Sequence, residues 1–178
     1  MGVSEGLQVR WVIDDREAVS IAHDRYTYSF SPNGVPQKIF LSRESLASNV
    51  DMECAILTKR PADLSTASVS SLVMFVYTEE GAKKMRERAK KRLGVINVNG
   101  EEVPKLGIIT VASLLNGQLV SVQTGLFLST GAVKPTIQVM TLPVSFDKAV
   151  KLLREAGFEP VIFGEGDKLP IYTVPHPS

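Results

Sequence analysis

Short apolar runs separated by polar and turn-forming residues make up the first fifty positions, and residues 26–30 alternate aromatic with polar residues in the manner of a half-buried strand. Strands are predicted at 8–13, 19–22, 26–30 and 38–41. The turn-forming run SPNGVP at 31–36 separates the last two, which are therefore expected to pair as a hairpin. One helical turn is predicted within 42–49. Residues 1–50 thus read as an antiparallel β-meander packed on the rest of the chain.

A short segment that occurs twice organises the remainder. Residues 64–69 read LSTASV and residues 128–133 read LSTGAV, so four of six positions are identical. At an offset of 63, residues 94–111 align with 157–174 without a gap. Eight positions then match: Gly94/Gly157, Val98/Val161, Glu102/Glu165, Lys105/Lys168, Leu106/Leu169, Ile108/Ile171, Thr110/Thr173 and Val111/Val174. About one match is expected by chance. An internal duplication is therefore predicted.

Each copy has the pattern of a β-α-β-β unit. The first helix is predicted at 79–93, between the N-cap Thr78 and Gly94. The second follows the N-cap Ser145 and ends at Gly157. The chain is therefore predicted to be an α+β protein with two tandem repeats, 53–111 and 118–174. Because each unit must cover an apolar face, the repeats are expected to form a pseudo-symmetric sandwich within residues 51–178. Residues 1–50 are expected to pack on this sandwich, so that the whole chain forms one compact domain.

Composition narrows the class of protein. The chain has 178 residues, 44% hydrophobic, and a formal net charge of +1, so any attraction to a polyanion must be local. Cys54, the single cysteine, excludes an intrachain disulfide and is expected to be a buried strand thiol. No apolar run approaches the roughly 18 residues of a membrane helix. A cytoplasmic protein without a membrane partner is predicted.

The first predicted helix carries the strongest local signal. Seven basic residues surround one acid, Glu87, and occupy nearly all of its circumference outside a narrow apolar stripe: Lys83, Lys84, Arg86, Arg88, Lys90, Lys91 and Arg92. Clustered lysine and arginine gain affinity for nucleic acid by releasing counterions from its backbone. The corresponding residues of the second helix are balanced by acids. The alternative is a solvated outer helix whose cations pair with acids elsewhere.

Aromatic residues supply a second candidate surface. Tyr26, Tyr28 and Phe30 share one face of a predicted strand, beside Arg25. Exposed, that face would allow unpaired bases to stack on it. Buried, it is the apolar side of a hairpin, and this second interpretation is favoured.

Motifs for other chemistry are missing from the sequence. No phosphate-binding GxxxxGK[ST] or GxGxxG pattern and no HExxH or GxSxG pattern occurs. Two histidines, His23 and His176, are the only side chains that ordinarily titrate near neutral pH. Asp14, Asp15 and Glu17 cluster at a strand end, where a solvated turn is a better interpretation than a metal site. No catalytic residue, metal or cofactor is predicted.

These observations favour a non-enzymatic nucleic-acid-binding protein whose partner is DNA or RNA, bound by the basic helix and the Tyr26/Tyr28 face. The alternative is a module that senses a small molecule, or assembles with a partner, in the groove between the two repeats. Edge strands of such a sandwich could also pair between chains, so a homo-oligomer is a further expectation. The sequence does not decide whether the protein is an enzyme, but it favours a protein without catalytic activity.

Overall fold

The computed structural model describes residues 6–29, 33–58, 71–105, 107–127 and 137–164, and within them the chain is an α+β protein of mostly antiparallel strands. Two short 3₁₀ turns, Glu17–Val19 and Asn49–Asp51, interrupt the strands. In chain order the elements are β1 (Leu7–Ile13), β2 (His23–Tyr28), β3 (Gln37–Ser48), β4 (Met52–Thr58), β5 (Ser71–Tyr77), α1 (Glu79–Leu93), β6 (Val95–Val98), β7 (Glu101–Pro104), β8 (Gly107–Leu115), β9 (Gln118–Phe127), β10 (Ile137–Leu142), α2 (Phe146–Glu155) and β11 (Val161–Phe163).

The larger sheet has five strands in the order β2-β3-β1-β8-β9, all antiparallel. The first strand therefore lies between β3 and β8 rather than beside β2, so the amino-terminal strands do not follow the sequential order of a meander. Leu7 pairs with Leu115 and Trp11 with Val111. This sheet thus joins the start of the chain to its middle.

Two local predictions in this region are wrong. Residues 19–22 do not form a strand, because Asp14 Oδ1 accepts hydrogen bonds from the backbone N–H groups of Arg16 and Glu17 and starts the first 3₁₀ turn. Residues 42–48 are not helical but continue β3. Register shifts between β3 and β1 break the simple alternation there.

The smaller sheet has four strands in the order β10-β5-β4-β11, antiparallel except for the β4–β11 pair. The second 3₁₀ turn connects β3 of the larger sheet to β4 of the smaller one. At the other side, Gln123 Nε2 of β9 donates a 2.8 Å hydrogen bond to the Val139 carbonyl of β10. The two sheets are therefore joined covalently from β3 to β4 and meet at the edge strands β9 and β10, and they enclose one interior.

That interior is a single apolar core. Both sheets and both helices contribute to it, including Trp11, Phe75, Met85, Met140 and Leu153, each at most 6% exposed. A second cluster lies on the opposite face of the larger sheet and contains Ile39, Leu41, Ala112 and Leu114. The larger sheet is therefore apolar on both faces, and α1 and α2 pack only on the core side.

Both helices begin and end as their sequences predict. Thr78 Oγ1 accepts a 2.9 Å hydrogen bond from the Gly81 N–H at the start of α1, and Ser145 Oγ accepts one of 3.4 Å from Lys148 at the start of α2. Gly94 and Gly157, which follow the helices, have φ angles of +79° and +91°. Local capping thus decides the limits of both helices.

The predicted duplication is not tested by these residues. Its key segments, 64–69 and 128–133, lie outside the described ranges, as does the strand predicted at 171–174. The strands that follow the two helices have different partners, since β6 pairs with β7 in a separate hairpin and β11 pairs in parallel with β4. The α+β class is confirmed, whereas the tandem repeats and the pseudo-symmetric sandwich stay predictions.

Candidate functional site

The basic residues of α1 divide between two flanks, separated by the apolar stripe that packs into the core. Ala82, Met85 and Ala89 form that stripe and are at most 6% exposed. On one side, positions spaced by three and four residues bring four cations together. We call this set the basic flank; it consists of Lys84, Arg88, Lys91 and Arg92. The opposite flank carries Lys83, Arg86 and Lys90.

On the basic flank, the arginines are structural as well as charged. Arg88 Nη1 donates a 2.7 Å hydrogen bond to the Leu46 carbonyl of β3 and lies 3.5 Å from Asp51 Oδ2. Arg92 forms an ion pair with Glu17, and its guanidinium lies 5.9 Å from the centre of the Trp11 ring. These contacts attach α1 to the larger sheet.

The two lysines of the basic flank have weaker partners. Lys84 Nζ is 3.8 Å from Glu80, and Lys91 Nζ is 3.7 Å from Glu44. Lys91 is 77% exposed, and both of these pairs are open to water. Exposed pairs of this kind contribute about 0–1 kcal/mol. Both lysines can therefore exchange their carboxylates for another anion at little cost.

A buried polar group lies beneath the start of α1. The Asp51 side chain is only 2% exposed, and its Oδ2 atom accepts a 2.9 Å hydrogen bond from the Ser48 N–H. The Tyr77 hydroxyl is buried nearby and has no hydrogen-bond partner among the described residues. Burial raises the pKa of Tyr77, and the charge of Asp51 raises it further. The Tyr77 hydroxyl therefore stays protonated, and this group supports the helix rather than forming an open site.

A cavity of about 250 Å³ lies between the basic flank and the larger sheet. Its cationic wall is formed by Arg88, Lys91 and Arg92, and its apolar wall includes Trp11 and Ile21. A second cavity, of about 440 Å³, adjoins it and shares Trp11 and Arg92. The ion pair from Arg92 holds the pKa of Glu17, which lines this second cavity, below its ordinary value. The carboxylate is therefore charged near neutral pH.

The opposite flank of α1 faces the β6–β7 hairpin and is electrically balanced. Lys90 Nζ is 2.7 Å from Glu87, and Arg86 lies 4.0 Å from Glu101. In the described part of the chain, no carboxylate lies within 4.0 Å of the Lys83 amine. The cavity of about 360 Å³ on this flank is lined by three cations and four acids: Lys83, Arg86, Lys90, Glu79, Glu87, Glu101 and Glu102. This flank therefore offers no excess of positive charge.

The predicted aromatic surface lies on the other side of the sheet from α1. Tyr26 and Tyr28 are half-buried and pack against the second apolar cluster. Asp24 precedes them on the same face and forms ion pairs with Arg10 at 2.8 Å and Arg43 at 3.0 Å. The structure therefore separates the two tyrosines from the basic flank. Phe30, the third member of the predicted set, lies outside the described residues.

A different aromatic group lies on the α1 side. Phe40 of β3 contacts the His23 ring edge-on, with centroids 5.0 Å apart, and the Arg25 guanidinium lies 5.4 Å from its centroid. His23 pairs in register with Ser42, which lines the 250 Å³ cavity. The sequence offered one signal for this group: the alternation of β2 places His23 and Arg25 on the face opposite the tyrosines.

Other candidate chemistry finds no site among the described residues. No three His, Cys, Asp or Glu side chains within the described ranges converge on a point where a metal ion could bind. Asp14 and Glu17 are engaged in the first 3₁₀ turn, where Glu17 Oε2 accepts a 3.1 Å hydrogen bond from the Asp14 N–H. Cys54 is half-buried in β4, less covered than its apolar neighbours predicted. His176 lies outside the described ranges.

Comparison of the chain with known protein families, with curated protein sequences and with solved structures finds no match. Neither described helix has the length and apolar character that crossing a bilayer requires.

Proposed function

We propose that the protein is a non-enzymatic nucleic-acid-binding protein that holds single-stranded DNA or RNA along the basic flank of α1. The observation that carries this proposal is the convergence of Arg88, Lys91 and Arg92 on one cavity beside the larger sheet. Cations arranged along a helix contact successive phosphates and gain affinity from released counterions.

The lysines of the flank supply the exchangeable contacts. Lys84 and Lys91 face water, and their pairs with Glu80 and Glu44 are long. Each backbone phosphate carries one negative charge and two non-bridging acceptor oxygens, as each carboxylate does, but a strand presents several phosphates in series and releases its counterions on binding. Arg88 and Arg92 contribute positive potential while they hold α1 in place. The lysines therefore supply the exchangeable contacts, whereas the arginines supply positive charge at fixed positions and also stabilise the helix.

Planar groups beside the flank favour a single strand over a duplex. Arg25 and Phe40 lie on the α1 side of the sheet, next to the strand positions that line the cavity. Unpaired bases stack on aromatic rings and guanidinium planes, and this interaction tolerates any base. Tyr26 and Tyr28 lie on the face of the edge strand β2 opposite α1, and they remain in the proposal as a second binding surface.

The test is fluorescence anisotropy with labelled single-stranded DNA and RNA oligonucleotides over a range of salt concentrations. We expect affinity to fall steeply as salt rises, with a slope of about −0.7 per phosphate contacted. The variant Lys84→Glu with Lys91→Glu should weaken binding at least about tenfold and flatten that slope. Lys83→Glu with Lys151→Glu changes the net charge equally on other surfaces and should bind like wild type. No binding at low salt, or equal losses in both variants, would refute the proposal.

The finer architecture belongs to the same proposal. We infer tandem repeats at 53–111 and 118–174, a pseudo-symmetric sandwich over 51–178 and an amino-terminal segment at 1–50. The capping of α1 and α2, each followed by a glycine with positive φ, supports a common design. A ligand or assembly site in the groove between the repeats depends on 64–69 and 128–133, which lie outside the described ranges. That alternative, the homo-oligomer and the cytoplasmic location stay predictions.

A further inference from the structure

The cavity beneath the basic flank combines a cationic side with an apolar side. Trp11, Ile13 and Ile21 form the apolar wall, and Arg88 and Lys91 lie on the wall formed by α1. Its volume of about 250 Å³ is small compared with the roughly 300–1,000 Å³ of sites for drug-sized ligands. The cavity is partly open to solvent, so it can hold the base or the phosphate end of a ligand while the remainder extends outside it.

Hydroxyl groups complete the polar side. Ser42 and Ser45 of β3 line the same cavity and provide donors and acceptors across from the cations. Glu44, also at the cavity, lies 3.7 Å from Lys91 in an exposed pair. An incoming phosphate can replace this carboxylate, because the pair is solvent-screened and contributes little energy.

We propose that this cavity is a binding site for one nucleotide unit, with its phosphate at Arg88 and Lys91 and its base against Trp11 and Ile21. The inference rests on the proposed function and assigns to the cavity the recognition of a phosphate joined to a flat, largely apolar ring. Arginine and lysine are suited to phosphate, and the apolar wall is suited to the flat ring of a base, with Ile21 as its most accessible member because Trp11 is only 6% exposed. The same chemistry is present in a free nucleoside monophosphate and in one residue of a single strand.

Trp11 provides a direct readout, because it is the only tryptophan of the chain and it lines the cavity. Its emission is recorded while the full-length protein is titrated with adenosine monophosphate, adenosine, inorganic phosphate or an oligonucleotide. We expect a saturable change with the monophosphate and with the oligonucleotide. Adenosine and inorganic phosphate should each require at least about tenfold higher concentrations, because each lacks half of the recognised chemistry.

Two variants and one control variant test the location of the site. Lys91→Glu should remove the response to the monophosphate, whereas Lys151→Glu, which alters a lysine of equal exposure on α2, should leave it unchanged. Ser45→Leu adds bulk inside the cavity without changing charge and should also abolish the response. Circular dichroism and thermal unfolding identify any variant that has lost its fold, and in that case the Lys91→Glu comparison decides the result.

The outcomes separate this inference from the proposed function. If the oligonucleotide binds by anisotropy while Trp11 emission stays constant, the nucleotide site is refuted and nucleic-acid binding stands. If the monophosphate produces a response that Lys91→Glu does not alter, the site is also refuted. If no ligand binds by either readout, both proposals fall. Binding of the monophosphate without binding of the oligonucleotide would support the site and refute the proposed function.

Discussion

Arg88 of α1 donates a hydrogen bond of 2.7 Å to the main-chain carbonyl of Leu46, which lies 42 residues earlier in the sequence. The same guanidinium lies 3.5 Å from Asp51, a carboxylate buried at the turn between the two sheets. One side chain therefore connects the helix to the strand and to the turn. Some of the basic residues of α1 therefore stabilise the fold, and the composition of the helix does not by itself indicate a binding function.

The variant Arg88→Ala should lower the free energy of unfolding by about 2–3 kcal/mol, because it leaves Asp51 without its cation. A fully buried pair would lose roughly 3–5 kcal/mol, and Arg88 is about one-third exposed. Urea unfolding measures the difference. Lys84→Ala, which removes an exposed partner on the same flank, should change stability by less than about 0.5 kcal/mol. Equal effects in the two variants would contradict the structural role of Arg88.

Gly81 lies within α1 where the helix touches the turn at Asp51. A Cβ atom added to Gly81 would lie 2.1 Å from the Asp51 carbonyl oxygen. Because both atoms belong to the main chain or are fixed to it, no side-chain rotation can relieve this contact. Alanine normally stabilises an exposed helix position by roughly 1 kcal/mol relative to glycine. Here Gly81→Ala should instead destabilise the protein by about 1–3 kcal/mol.

Thermal and urea unfolding of Gly81→Ala measure the sign of this change directly. Lys83→Ala, two residues further along the same helix and exposed, serves as the reference because it gains helix propensity without a contact. A Gly81→Ala protein that is more stable than wild type would show that α1 and the turn do not approach as described.

The acid Asp24 should make stability depend on pH in a defined direction. The hydrogen bond from Arg10, together with Arg43, holds the pKa of Asp24 below its ordinary value of 3.8. A carboxyl with a lowered folded-state pKa stabilises the fold fully above its unfolded value and loses that contribution as pH falls through the folded value. Stability from this group is therefore complete at neutral pH and lost in acid.

Asp24→Asn should cost about 1–2 kcal/mol near neutral pH, after allowance for the partial exposure of the carboxylate. The gap between wild type and variant should narrow as pH falls below about 4, as measured by urea unfolding at several pH values. Arg43→Ala, which leaves the contact with Arg10 intact, should show a smaller loss. A gap that stays constant down to about pH 2 would contradict the ion pair.

The sequence predicted features that depend on neighbouring residues. Thr78 and Gly94 determine the ends of α1 through contacts within a few positions, and the period-2 pattern correctly placed Tyr26 and Tyr28 on one face. It could not predict which face of the sheet α1 covers, since that depends on pairing such as Trp11 with Val111, about one hundred residues apart. Whether the two tyrosines and α1 share a surface therefore follows only from the fold.

The division of α1 into two unequal flanks could not be predicted from the sequence, for the same reason. Glu17 comes from the first 3₁₀ turn, Glu44 from β3 and Glu101 from the hairpin, so their positions around the helix follow only from the fold. The composition of α1 indicated seven equivalent cations. The structure distinguishes two arginines that hold the helix, two lysines open to solvent and three residues on a neutralised side.

The central place of β1 in the larger sheet has a consequence for how the molecule acquires its structure. Its partner β8 is about one hundred residues away, so the middle of the sheet cannot close until that much chain has been synthesised. Pairing between such distant segments slows folding, because a large loop entropy is lost before the contact forms. Early in synthesis, the β2–β3 hairpin can form while β1 still lacks one neighbour. We therefore expect β1–β8 association to be a late step on the ribosome or after release from it.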